Sequence, residues 1–221
     1  MRQATEPFTL GRMSDRPSNV AVELFRGVVR CSSCFESSEL ERAGISLPQP
    51  FTVGKHYKVG GIAVVGINPG ATTEGGYKEA RKQALDRFAG GEDHALACYW
   101  EALASDVENF WNPRYLTRIR ALGLRIDELL IGNIALCATA NNKYPKRMLK
   151  NCWFLHTKRI LEKFAPGKLM LMGSAAGDFA GPVRQAVPGI RIECMAHYAH
   201  RKGHAHEQAE CDRIRNFLSQ V

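Results

Sequence analysis

No apolar run in this 221-residue chain approaches the roughly 20 residues needed to cross a bilayer; IAVVGI and LLIGNIALC are the longest. The opening MRQATEPFTLGRM has no signal-peptide core, and no internal repeat or low-complexity tract is evident. A cytoplasmic protein with no membrane partner is therefore expected. Acidic residues are in deficit: 22 Asp and Glu face 30 Lys and Arg, giving a formal charge of +8. That excess favours an anionic partner such as nucleic acid, although a plain basic surface has the same composition. Seven cysteines without an export signal argue against a disulfide framework, because the cytosol keeps thiols reduced.

A hydrophobic fraction of 45% over this length suits one domain of ordinary size. Residues 1–16 are polar and aperiodic, which reads as a flexible tail, and 17–221 reads as the single domain. Ser18 is a plausible N-cap, and Val20, Leu24 and Val28 recur at helical spacing before Cys31-Ser-Ser-Cys34. The stretch 38–60, with Pro48, Pro50 and glycines, reads as loop. Strand-length apolar runs follow at 62–67, 129–136, 168–172 and 190–196. Helical patterns separate them at 78–89, 94–110, 113–122, 152–165 and 205–219, the fourth stopped by Pro166-Gly167. Strands alternating with helices predict an α/β fold: three layers, α/β/α, around a mostly parallel four-stranded sheet.

Ligands in such folds sit beyond the carboxyl ends of the strands. GINPG (66–70), NIALCATANN (133–142) and AHYAH (196–200) all lie there, so three separated motifs are expected to converge on one pocket. In the first, glycine allows close approach, and Pro69 fixes φ and ends the strand. Asn68 is thus a short amide held at a strand tip, or else an amide that caps its own turn.

Cys31 and Cys34 form a C-x-x-C pair, and Cys137 and Cys152 complete four thiols. Zinc or a 4Fe-4S cluster would accept such a set; the wide second spacing leans towards iron-sulfur. Cys98, Cys194 and Cys211 read as small buried hydrophobes.

The segment GNIALCATANNKYPKRMLKNCWFL, followed by KLMLMGSAA, resembles the iron-sulfur uracil-DNA glycosylases of bacteria and archaea. In that family an Asn lies four residues before a cluster Cys, an Asn-basic-x-Pro run follows, and the last cluster Cys opens an aromatic-Leu helix. Here these are Asn133, Cys137, Asn142-Lys143-Tyr144-Pro145, Cys152 and Phe154-Leu155. The likeness covers residues 20–200 in motif order, with 78–125 divergent. GINPG is closer to the mismatch-specific uracil/thymine branch, and His197-Tyr-Ala-His200 stands where the superfamily has His-Pro-Ser.

The resemblance implies a monofunctional glycosylase, a monomer in base excision repair, that hydrolyses the N-glycosidic bond of a flipped deoxyuridine in DNA. Asn68 would hold the water, with Gly66 and Ile67 in the same motif against the substrate. Asn133, with Asn142 as the competing amide, would read the base edge. His197, or less favourably His200, would donate to O2 of the leaving base. His204 and His206 cluster nearby and carry less weight. Tyr77 would stack on the base. Lys143, Lys146, Arg147, Lys150, Arg201 and Lys202 would hold phosphates, and the loop HRKGHAH would support flipping. A 4Fe-4S cluster would sit on Cys31, Cys34, Cys137 and Cys152. Other readings are a glycosylase fold that binds DNA with weak or no chemistry, an enzyme for hypoxanthine, xanthine or mismatched thymine, and a zinc-stabilised nucleotide enzyme.

Overall fold

The structure, a computed structural model, describes residues 19–36, 40–41, 47–69, 76–109, 119–140, 143–197 and 204–220. The expected tail at 1–16 and the Ser18 cap lie outside them.

Among the described residues there are five strands, four of them on the apolar runs: β1 (Thr52–Val53), β2 (Ile62–Gly66), β3 (Leu129–Asn133), β4 (Lys168–Met172) and β5 (Arg191–Met195). Their order is β1-β3-β2-β4-β5, and β2 pairs in parallel with β3 and with β4, which pairs in parallel with β5. The expected four-stranded sheet is corrected here. Thr52 and Val53, inside the stretch read as loop, pair antiparallel with Ile131 and Leu130, so the sheet is mixed and five-stranded. Two residues bounded by prolines and Gly54 are too short for period-two alternation to be visible in sequence.

Helices flank the sheet. They are α1 (Asn19–Val29), α2 (Gly76–Ala89), α3 (Ala95–Asn109), α4 (Lys146–Cys152), α5 (Lys158–Phe164), α6 (Ser174–Gly177), α7 (Ala180–Ala186) and α8 (His204–Ser219). Residues 119–121 are also helical; the rest of the helix expected at 113–122 lies outside the described residues. A π-helical turn, Trp153–Thr157, joins α4 to α5. That rod begins at Lys146 rather than 152, because Pro145 supplies a start of fixed φ. It stops as expected, with Ala165 in the left-handed conformation (φ 40°) where glycine is usual, ahead of Pro166 and Gly167.

Alternation along the strands builds two cores. Ala63, Val65, Leu130, Leu169 and Leu171 pack with Phe25, Leu85, Phe88, Leu96, Ile160 and Val183. Val64, Leu129, Ile131, Met170 and Met172 face the other way, against Ile119, Ile214 and Phe217. Burial on both faces explains why β2 and β4 read as continuous apolar runs. Among the described residues no helix is long and apolar enough to cross a membrane.

Candidate active site at the carboxyl ends of the strands

β2 and β3 finish side by side, with Gly66 opposite Asn133 in the parallel register. A Cβ on Gly66 would lie 2.6 Å from the end of the Asn133 side chain, so only glycine leaves that amide its place. Past the strands the two loops stay paired: Ile134 N–H donates to Gly66 O (2.9 Å) and Ala135 N–H to Ile67 O (2.8 Å). The hydrogen-bonding orientation of the Asn133 carboxamide points its nitrogen at the backbone oxygens of Asn68 (3.1 Å) and Gly132 (3.3 Å). The first and second motifs are therefore in direct contact.

The Asn68 side chain is half-buried, and its Nδ2 donates to Pro69 O at 2.7 Å. The amide thus braces its own turn, the second of the two expected roles, while remaining at the strand tip. The half-buried phenol of Tyr144 also hydrogen-bonds the side chains of Thr139 and Asn68. Burial pushes its pKa up, and those two bonds pull it back. Thr139 Oγ1 in turn donates to Lys143 O (2.7 Å), which ties Thr139 to the residue before Tyr144.

On the other side of β2, a pocket of about 360 Å³ is lined by Ile67, Met172, Gly173, Ser174, Ala175, Ala176, Ala196 and His197. Gly173 (φ 90°) ends β4, its N–H donates to Met195 O (2.8 Å), and a Cβ there would touch the His197 Cβ at 3.5 Å. Ala196 N–H donates to Glu210 Oε1 of α8 (2.7 Å), which fixes the backbone beside His197. His197 and Ile67 thus share one pocket. Neither Asn68 nor Asn133 is among its lining residues. Asn133 sits three strand spacings from β5, about 14 Å at the usual separation. The three motifs lie at one end of the sheet, but the expected single pocket is corrected: the two amides and the histidine do not line one cavity, and Ile67 of the first motif is the residue that joins His197 there.

The thiols sit on the flank of this end. Cys34, Cys137 and Cys152 are buried, Cys31 is half-buried, and no disulfide joins any of the seven cysteines. Cys152 hydrogen-bonds Cys34, and Leu136 N–H points at its Sγ (3.4 Å). The contact with Cys34, then burial, then the nearby Cys137 and Cys34 charges push the Cys152 thiol far up; the Leu136 amide acts in the opposite direction. Cys31 Sγ lies 3.7 Å from Ser33 Oγ. Among the described residues no three His, Cys, Asp or Glu side chains are arranged as they stand to hold a metal ion. The donor set still fits a thiophilic group, since Cys34 and Cys152 are in contact, Cys137 is near enough to act on Cys152 electrostatically, and Cys152 already receives a backbone N–H. Cys98 and Cys211 are half-buried and Cys194 is exposed, so the expectation of three buried hydrophobes is corrected. Cys194 lies on β5, an edge strand with neighbours on one side only.

Asn142, Tyr198, His200, Arg201 and Lys202, hence most of the HRKGHAH loop, lie outside the described residues. The backbone of Tyr77 opens α2, and its side chain is outside them too. Lys143, Lys146, Arg147 and Lys150 are exposed. Two polar residues that pattern reading passed over brace the site. Tyr144 is one. The other is Thr157, fully buried, whose Oγ1 lies 3.0 Å from Ile134 O and 3.2 Å from Asn133 O. A threonine on the mostly apolar side of a helix was the available signal.

No protein-family model and no curated protein matches the chain.

Proposed function

We propose that the protein is a monofunctional uracil-DNA glycosylase whose α/β sheet is the three-layer arrangement of that superfamily. The observation that carries the reading is the contact between the first two motifs, Asn133 to Asn68 at 3.1 Å, beside a pocket that holds His197.

Base release begins with extrusion of the nucleotide, which costs a few kcal/mol that a shaped pocket must recover. As the bond breaks, the sugar gains oxocarbenium character and the base gathers negative charge on O2. An imidazole N–H from His197 meets that charge. Asn68, stiffened by Pro69 and Tyr144, presents the amide that orients water beneath C1′. The Asn133 nitrogen is engaged by two carbonyls, which leaves its oxygen to accept from uracil N3–H. Cytosine has no hydrogen at N3, so it leaves that oxygen unpaired at a cost of about 1–3 kcal/mol. Tyr77, His200, Arg201 and Lys202 keep the roles that the resemblance implies.

Cys31, Cys34, Cys137 and Cys152 would hold a 4Fe-4S cluster as a cross-link between the C-x-x-C turn and α4. It carries no electrons, because hydrolysis transfers none.

The test is a uracil-containing oligonucleotide incubated with full-length protein purified anaerobically. Abasic product is expected, slowed at least a hundredfold by Asn68→Ala and by His197→Ala, with unchanged melting temperatures. Absence of product from folded, iron-loaded protein would falsify the assignment. DNA binding without release would select the binding-only reading. Stoichiometric zinc in place of iron would overturn the choice of metal.

A further inference from the structure

We infer that the outer face of the rod from Lys146 to Phe164 is a docking track for a single-stranded polynucleotide. This goes beyond the reaction above and does not depend on it.

The rod has two sides. Met148, Leu149, Cys152, Trp153, His156, Thr157, Ile160 and Leu161 are buried against the sheet. The outer side carries Arg147, Lys150, Phe154, Leu155, Arg159 and Lys163, all exposed, with Lys158 half-exposed. Among the described residues the exposed large hydrophobics are Val59, Phe154 (65%) and Leu155 (43%), so two of the three fall on this face. Their setting is ordered. Lys150 precedes Phe154 by four residues and Lys158 follows it by four, and Arg159 follows Leu155 by four. These are one-turn neighbours on a helix surface, so cations bracket the ring along the axis. The face's one acid, Glu162, lies 3.7 Å from Lys158 in an exposed pair, too weak to neutralise the row.

A row of cations with an exposed ring between them is what a single strand engages: phosphates pair with the cations and an unstacked base lies on the aromatic face. A duplex hides its bases and would leave Phe154 in water. An acidic peptide could meet the charges, but peptide sites offer a groove or a sheet edge for anchor side chains. This face is the convex outside of a helix. It also leads to the candidate site, because Lys146 follows Tyr144 and Pro145, and Tyr144 bonds Asn68. The rod's 19 residues span about 28 Å, enough for several nucleotides.

The probe is fluorescein-labelled oligothymidylate, a 20-mer without uracil, titrated with the full-length protein over a range of salt. Phe154→Ala should weaken binding about tenfold at an unchanged melting temperature. Lys150→Ala and Lys158→Ala should each flatten the plot of log affinity against log salt by about 0.7. Wild-type affinity in folded Phe154→Ala overturns the proposal, as does an unchanged salt slope in both lysine variants. A Glu-rich peptide with Phe and Leu anchors is the competing probe: tighter binding than the oligonucleotide, abolished by Phe154→Ala, would make this a protein dock and also overturn it. Because no uracil is present, the outcome is independent of whether base release occurs.

Discussion

Tyr144 controls a neighbour rather than meeting a ligand. Its hydroxyl joins Thr139 and Asn68, so the amide at the β2 tip is held by Pro69 O on one side and a phenol on the other. If Asn68 orients water, Tyr144→Phe should lower kcat on a uracil oligonucleotide about tenfold, the worth of one well-placed hydrogen bond, and leave KM unchanged. A merely structural role predicts the opposite pattern, a reduced melting temperature with intact kcat in the folded fraction. At this scale the sequence showed which amides and thiols to consider, because Gly66, Pro69 and the cysteine spacings are local marks. It did not show Tyr144, whose partners lie 5 and 76 positions away and are joined only by folding. For Asn68 the structure shows the second of the two expected roles, the brace of its own turn.

The π-helical turn links the thiol flank to the base-reading amide. Cys152 ends α4, the turn comes directly after it, and Thr157 at its close reaches the Asn133 and Ile134 carbonyls. One extra residue in the turn rotates the helix downstream of it, and such insertions are often kept where a side chain must be aimed. Thr157→Val removes the donor and leaves the buried Ile134 carbonyl without it, which should cost about 1–3 kcal/mol. Thr157→Ser should restore most of that loss in a urea titration; equal destabilisation by both variants would show that shape, not the hydroxyl, matters. Element positions were largely legible, since β4 falls on its expected range and β2, β3 and β5 fall inside theirs. What escaped was β1, too short for a pattern, the early start of α4, and the short helices α6 and α7, whose small residues give little periodicity.

Across the whole molecule, pH tests the packing of the rod against the sheet. The His156 imidazole is buried with Nε2 unpartnered, and burial together with Arg159 lowers its pKa to about 4. The unfolded chain takes up that proton near pH 6.5, so folded and unfolded states hold it equally above that value. Between about pH 6.5 and 4 only the unfolded state is protonated, and stability should fall by about 3 kcal/mol as pH decreases. His156→Leu should flatten that decline when denaturant midpoints are compared at pH 7 and pH 4.5; parallel curves would refute the assignment. The α/β class was legible from alternation alone, whereas the strand order was not, because parallel partners carry no sequence mark of one another. That order has a consequence during synthesis. Ile62 of β2 joins Leu129 on one edge and Lys168 on the other, so both neighbours emerge from the ribosome long after it does. An apolar ribbon with two bare edges must wait for most of the chain, and a nascent polypeptide halted before residue 129 would expose it to any passing aggregate.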